Sequence, residues 1–240
     1  MKESDKMGNK IIVYHGSIRI IDKPTYGFGK AYNDYGLGFY TTEDMELAKE
    51  WAVEEDKSGF ANKYELDLSD LKVLNLSDAD SLCWISILLM NRYFDLKSDI
   101  AKAGKDYILN NYQVNYEEYD VIIGYRADDS YFMFANDFLN NSLSIRSLEK
   151  ALRLGNLGIQ IVLRSKKAFT KLKFIGYEKA DNKIYYPLRQ NRNIDAKNKY
   201  MLEKNKFLPS DVFLSDMIKG GIKKWYMHMM NIIYQEFKEN

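Results

Sequence analysis

The chain has 240 residues, 46% of them hydrophobic and 14% aromatic, enough to bury one substantial core or two small ones. Three prolines and 14 glycines exclude a collagen-like or disordered chain, and a net charge of +1 singles out no class of partner. The lone cysteine, Cys83, excludes an internal disulfide and predicts a reduced compartment.

From the N-terminus, MKESDKMGNK is polar and has no signal-peptide pattern, and no apolar run reaches the roughly 18 residues of a membrane span. A soluble, cytoplasmic protein without membrane contact is the expectation. Lys10–His15 (KIIVYH) is apolar and β-branched and reads as a buried strand, followed by a glycine- and aromatic-rich loop from Gly16 to Gly38. Gly38–Thr42 (GFYTT) reads as a second strand, whose Thr41 or Thr42 hydroxyl would cap a helix with Met45, Ala48, Trp51 and Ala52 on one face. Tyr64–Leu76 alternates as strand, turn, strand. Ala79–Phe94 and Ile100–Tyr112 read as helical, Tyr119–Gly124 (YDVIIG) as strand and Tyr125–Asp129 as loop.

Ser130–Leu139 and Ser144–Leu154 read as helices, the second capped by Ser144 and stopped by Gly155. Gly158–Arg164 (GIQIVLR) and Leu172–Tyr177 read as strands around a helical turn at Lys166–Thr170. Residues 164–206 then hold 13 Lys and Arg against 4 Asp and Glu, whereas residues 1–163 hold 18 against 26. So basic a block suits an anionic partner or a solvated face balancing the acidic part. Its weak periodicity over Asp181–Lys206 places a boundary near residue 180, dividing a domain at 1–180 from a basic linker and helical extension at 181–240. Pro209–Glu239 reads as one or two amphipathic helices broken at Gly220–Gly221. Its Phe213, Met217, Ile222, Trp225, Met229 and Ile233 predict docking on the main domain or a partner.

Three motifs carry chemistry: Tyr14-His15-Gly16-Ser17 at the end of a strand, the glycine-rich entry Tyr35-Gly36-Leu37-Gly38-Phe39-Tyr40-Thr41-Thr42, and Gln160 within a later strand. With YDVIIGYRADD and IQIVLRSKKA, over roughly residues 10–178, they resemble the His-Tyr branch of the ADP-ribosyltransferase superfamily, that of diphtheria toxin and the poly(ADP-ribose) polymerases. The local wording is most similar to a bacterial domain-of-unknown-function family, number 3990, in that clan. The resemblance implies an α+β fold: a split β-sandwich of two small, mostly antiparallel sheets across an NAD cleft. Helices would be inserted between residues 79 and 155, with a helical tail.

It also implies roles. His15 would hydrogen-bond a ribose hydroxyl of NAD, the Gly16 backbone would hold the nicotinamide carboxamide, and Ser17 would help anchor the ligand. Tyr40 would stack on the cationic nicotinamide ring, an electron-rich face for a positive one. The best-known members place a glutamate where this chain has Gln160, which can bond the ribose but carries no charge. Asp128 and Asp129 are alternative carboxylates, and Arg126 suits a pyrophosphate.

The implied activity is mono-ADP-ribosyl transfer from NAD to a protein or nucleic acid, by a bacterial toxin or phage-defence effector with an antitoxin protein as partner. The alternative is a non-catalytic NAD- or ADP-ribose-binding module or an interaction protein. One cysteine and two distant histidines, His15 and His228, argue against zinc, and Gly27-Phe28-Gly29 followed by Lys30 is no dinucleotide fingerprint.

Overall fold

The computed structural model describes residues 9–77, 79–126, 129–154, 158–204, 206 and 208–220. Among them, two sheets and eight α-helices form an α+β architecture. The first sheet is antiparallel, in the order β1 (Lys10–Ser17), β3 (Gly59–Asp67), β7 (Leu172–Ala180). The second runs β2 (Phe39–Thr41), β6 (Ile159–Leu163), β5 (Val121–Tyr125), β4 (Val73–Asn75).

The two sheets of the sequence reading are thus present, but the second is mixed, because β4 and β5 are parallel. A parallel pair needs a crossover, and here α2 (Ser81–Asn91) and α3 (Asp99–Tyr112) lie on the connection. One bridge ties the sheets together: the Tyr14 N–H donates to the Thr42 carbonyl at 2.7 Å and the Thr42 N–H returns to the Tyr14 carbonyl at 2.9 Å.

Period-two alternation sorts the side chains of the second sheet into two layers. Ile161, Leu163 and Val121 meet Val13, Tyr64 and Leu66 of the first sheet in a small core between the sheets. Val162 and Ile122 point the other way, into a larger core with Trp84, Ile85 and Leu88 of α2 and Phe134 and Phe138 of α4 (Asp129–Leu139). Gln160 shares its strand face with Val162, two residues on, and so lies on the helical side.

Local caps follow the chemistry of short polar side chains. Ser144 accepts from the Ser147 N–H at 3.2 Å, as its sequence position implied, at the start of α5 (Ile145–Leu154). The cap of α1 (Met45–Trp51) is Asp44, which accepts from the Leu47 N–H at 3.0 Å. The expected threonine caps are engaged elsewhere: Thr41 donates to the Ile161 carbonyl at 2.7 Å, and Thr42 Oγ1 accepts from the Asp44 N–H.

Residues 182–204, expected as a linker, form the long helix α7 (Asn182–Lys204), with Pro187 inside it. Its periodicity is faint because the helix buries only a narrow stripe, Ala196 and Tyr200, in the larger core. Elsewhere Tyr185 and Tyr186 pack on Ala52 and Val53, and ion pairs add to the seat: the Arg192 guanidinium grips the buried Glu50 carboxylate through Nε at 2.8 Å and Nη2 at 2.7 Å, and Lys204 reaches Asp137. Farther on, Leu214 and Met217 of α8 (Leu214–Ile218) enter the same core, so this part of the tail docks on the sheet-bearing body. Ile222, Trp225, His228, Met229 and Ile233 lie outside the described residues, as does Gly155. Among the described residues, no helix is long and apolar enough to cross a membrane.

Candidate functional site

The ends of β1, β2 and β6 converge on an open cavity of about 490 Å³, bordered on one side by the loop after β1. That loop is held to the first sheet by Asn62 of β3, whose buried side chain accepts from the Ile21 N–H at 2.9 Å and donates to the His15 and Arg19 carbonyls at 3.2 Å each. Of the residues singled out in the sequence, His15, Gly16, Tyr40, Gln160 and Arg126 all line the cavity. Ser17 does not. Its hydroxyl closes a local turn, accepting from the Arg19 N–H and donating to the Arg19 carbonyl. Asp128 and the side chain of Asp129 lie outside the described residues.

His15 follows Val13 on the inward face of β1 and packs its ring 4.4 Å from that of Phe39. Its Nδ1 lies 2.7 Å from the Tyr40 carbonyl, which can only accept, so Nδ1 carries the proton and Nε2 of the neutral ring is left as an acceptor. Burial lowers the His15 pKa below its ordinary 6.5, and the hydrogen bond to Tyr40 opposes that shift only in part. A depressed folded-state pKa means the unfolded chain binds the proton more readily. His15 therefore contributes stability in full above pH 6.5, and loses it as the pH falls from there through the folded-state value. An NMR titration should place the His15 midpoint below 6.5, and the stability loss in urea over that window should shrink in His15→Ala.

Gly16 is fixed by helix packing: a Cβ there would lie 2.1 Å from the Ala48 carbonyl oxygen of α1 and 2.8 Å from the nitrogen of Ala52, which caps its C-terminal end. In an antiparallel ladder the polar backbone groups alternate in direction. Tyr14 points its N–H and C=O away from β3, to Thr42. Gly16, two residues later in the same register, therefore turns its own N–H and C=O away from β3, on the side of the cavity it lines.

Tyr40 is committed by its hydroxyl, which donates to the Gly36 carbonyl at 2.6 Å and accepts from the Tyr35 N–H at 3.1 Å. This clamps a turn in which Gly36 has φ +70°, a left-handed value suited to glycine. Burial raises the Tyr40 pKa well above the ordinary phenol range, so the hydroxyl stays protonated and keeps its hydrogen bond to Gly36. Tyr40→Phe should leave two backbone groups without their partner and cost about 1–3 kcal/mol, read from urea unfolding.

The clamp also places Asp34, which the sequence reading passed over. Asp34 is 5% exposed and lines the cavity. One oxygen accepts from Arg92 Nη1 at 2.9 Å and the other from Gln160 Nε2 at 3.4 Å. Gln160 is also 5% exposed, and its Oε1 has no hydrogen-bond partner among the described residues. The indole Nε1 of Trp51, another wall residue, is likewise buried without a partner, beneath the Arg126 guanidinium at 4.5 Å. Such groups are costly to bury dry and mark places where a ligand's polar atoms would fit.

Asp34 was legible only as an acid inside the glycine-rich run NDYGLG. Arg92, at the end of α2, and Trp51 reach the cavity through tertiary packing, which left no local signal.

The wall therefore offers two acceptors for hydroxyls, His15 Nε2 and Gln160 Oε1, a backbone donor–acceptor pair at Gly16, and the aromatic faces of Tyr40 and Trp51. It also offers Lys30, Arg92 and Arg126 as cations against one carboxylate, Asp34, among the described residues. These groups suit a ligand that combines sugar hydroxyls, a flat ring bearing an amide and an anionic group. Among the described residues there is no cluster of three metal-ligating side chains. No curated protein and no solved structure matches the chain significantly. The family described as "Protein of unknown function (DUF3990)" matches residues 11–174, about two thirds of the sequence and every wall strand of the cavity, and the chain belongs to that family.

Proposed function

We propose that the protein binds NAD in this cavity and transfers its ADP-ribose to a macromolecule, as a mono-ADP-ribosyltransferase of the His-Tyr branch. The observation that carries this reading is the unpartnered, buried Oε1 of Gln160, set in one cavity with His15, Gly16 and Tyr40. The motif resemblance assigns these residues to NAD, and they come from three separate strands. Two sheets joined beside the cavity are what the fold of that superfamily would require.

In this reading the nicotinamide carboxamide pairs with the N–H and C=O of Gly16, as a further strand would, and the cationic ring lies against Tyr40. His15 Nε2 and Gln160 Oε1 accept from ribose hydroxyls, while Arg126, with Lys30, meets the pyrophosphate. The bond between ribose C1′ and the nicotinamide nitrogen breaks with its electron pair moving to the ring, which leaves as neutral nicotinamide. An O–H or N–H group of the target forms the new bond to C1′ and its proton passes to solvent. Positive charge develops on the ribose, so negative charge nearby accelerates the step.

For the target, the exposed Phe28 of the cavity wall and exposed Tyr32 of the same loop, together with the basic stretch from Arg164 to Lys206, favour nucleic acid. Lys166, in that basic stretch, lies 5.7 Å from the ring of Tyr26, in the loop after β1. Such a transfer would poison or defend a bacterial cell, and an antitoxin protein would restrain it.

Incubation of the purified protein with radiolabelled NAD and a cell lysate tests the proposal, with His15→Ala in parallel. Label in a macromolecule, absent with the variant, is expected, and nuclease or protease sensitivity names the target class. NAD binding without label or nicotinamide release would replace the enzyme by a non-catalytic NAD-binding module, the reading that the uncharged Gln160 favours. Absence of both binding and label would overturn the NAD assignment.

A further inference from the structure

Gln160 alone supplies no negative charge to a ribose, yet a buried carboxylate stands beside it in the cavity wall. The Asp34 carboxylate can only accept hydrogen bonds, so it selects the NH₂ end of the Gln160 carboxamide, at 3.4 Å. This fixes the amide's orientation and turns Oε1 away from Asp34, where it is buried and unpartnered in the cavity wall. Arg92 holds the other carboxylate oxygen at 2.9 Å, so Asp34 is braced on both sides. Hydrogen bonds in series polarise one another, and a charged acceptor at the NH₂ end raises the negative charge on the carbonyl end.

We infer that Asp34 and Gln160 act as one unit, in which Asp34 is a positioning residue that orients the Gln160 carboxamide and lends it negative charge. Gln160 Oε1 then accepts from the ribose hydroxyl of NAD and stabilises the cationic centre as nicotinamide leaves. The inference rests on the NAD reading above and deepens it: the pair replaces the single glutamate that the resemblance leads one to expect. It has a distinctive consequence. Gln160→Glu by itself sets a second carboxylate against Asp34 in a buried site, where like charges resist ionising together. Combined with Asp34→Asn, the same change reverses the pair. The introduced asparagine keeps a carbonyl oxygen for Arg92 and gives an N–H to the new glutamate, so one negative charge remains, on the ribose side.

The test measures nicotinamide release from NAD with lysate as acceptor, and NAD affinity by calorimetry, for the parent and three variants at about pH 8, above the ordinary carboxylate range. Asp34→Asn should lower the release rate about 100-fold, the scale of losing one preorganised electrostatic contact, and lower NAD affinity far less. Gln160→Glu alone should give no gain over the parent, and the double variant should recover to within about tenfold of it, a rescue that a purely structural role of Asp34 would not produce. Retained NAD affinity shows that each variant is folded at the site. Parent-like release by Asp34→Asn, a gain from Gln160→Glu alone, or a double variant no faster than Asp34→Asn would overturn the pairing while leaving the NAD reading in place. A parent that binds NAD without releasing nicotinamide would overturn the pairing and the transferase together. A parent that binds no NAD would overturn both the pairing and the NAD reading.

Discussion

His15→Ala is expected to weaken NAD binding by more than tenfold, which is more than about 1.4 kcal/mol at the site. The variant removes the Nε2 acceptor that the proposal gives to a ribose hydroxyl, and the ring that packs 4.4 Å from Phe39. It also frees the Tyr40 carbonyl from Nδ1, the contact that joins the end of β1 to β2. The second effect acts on stability and the first on affinity, so each is read separately: urea unfolding for the scaffold, calorimetry for NAD. An affinity close to the parent's would show that His15 is a packing residue at the edge of the small core. Loss of affinity with most of the stability kept is the signature of a ligand contact.

Gly16→Ala should act through the scaffold, with the largest expected loss of stability, about 3 kcal/mol or more. An added methyl would meet the Ala48 carbonyl oxygen at 2.1 Å, the Ala52 nitrogen at 2.8 Å and Trp51 Cβ at 2.9 Å, all within α1 or at its end. Two of these are backbone atoms, and no change of rotamer relieves the overlap. The helix must move, and Trp51 with it. A fall in the unfolding midpoint together with loss of NAD binding is the expected result. A midpoint like the parent's would mean that α1 sits farther from β1 than described.

The YHGS wording proposes Gly16 as a ligand contact, whereas its packing against α1 leaves no signal in the sequence. The backbone of an edge strand that exposes its N–H and C=O suits a carboxamide, which the YHGS motif suggests. The constraint from α1 exists only after residues 44–52 fold back over β1.

More generally, the strands that carry the site were visible in KIIVYH, GFYTT and GIQIVLR because short apolar β-branched runs bounded by glycine have few other uses. The same rule missed most of β3, whose first residues, Gly59–Lys63, follow a polar stretch and include the buried Asn62. It also read α7 as a linker. A helix that buries a thin stripe and attaches itself through Arg192–Glu50 and Lys204–Asp137 shows little periodicity, and Pro187 reads as a breaker. Parallel pairing of β4 with β5 was hidden for a different reason: strand direction depends on where α2 and α3 carry the chain.

Within the site, His15, Gly16, Tyr40 and Gln160 were legible through motif wording, and Arg126 as a charge beyond a strand. Asp34 was not, since a lone acid in a glycine-rich loop usually faces water. It is buried here because Tyr35, next to it, is wholly buried and donates to the Tyr125 carbonyl at 2.6 Å. Tyr40 clamps the turn that follows, and the two contacts hold the loop, with its carboxylate, against β5 and β2.

The most direct test of the central claim is a crystal structure with an NAD analogue whose glycosidic bond cannot break. The account predicts the carboxamide paired with the N–H and C=O of Gly16, the nicotinamide ring on Tyr40, and ribose hydroxyls within hydrogen-bond distance of His15 Nε2 and Gln160 Oε1. An analogue bound elsewhere, or bound in this cavity with Gln160 Oε1 still unpartnered, would contradict it.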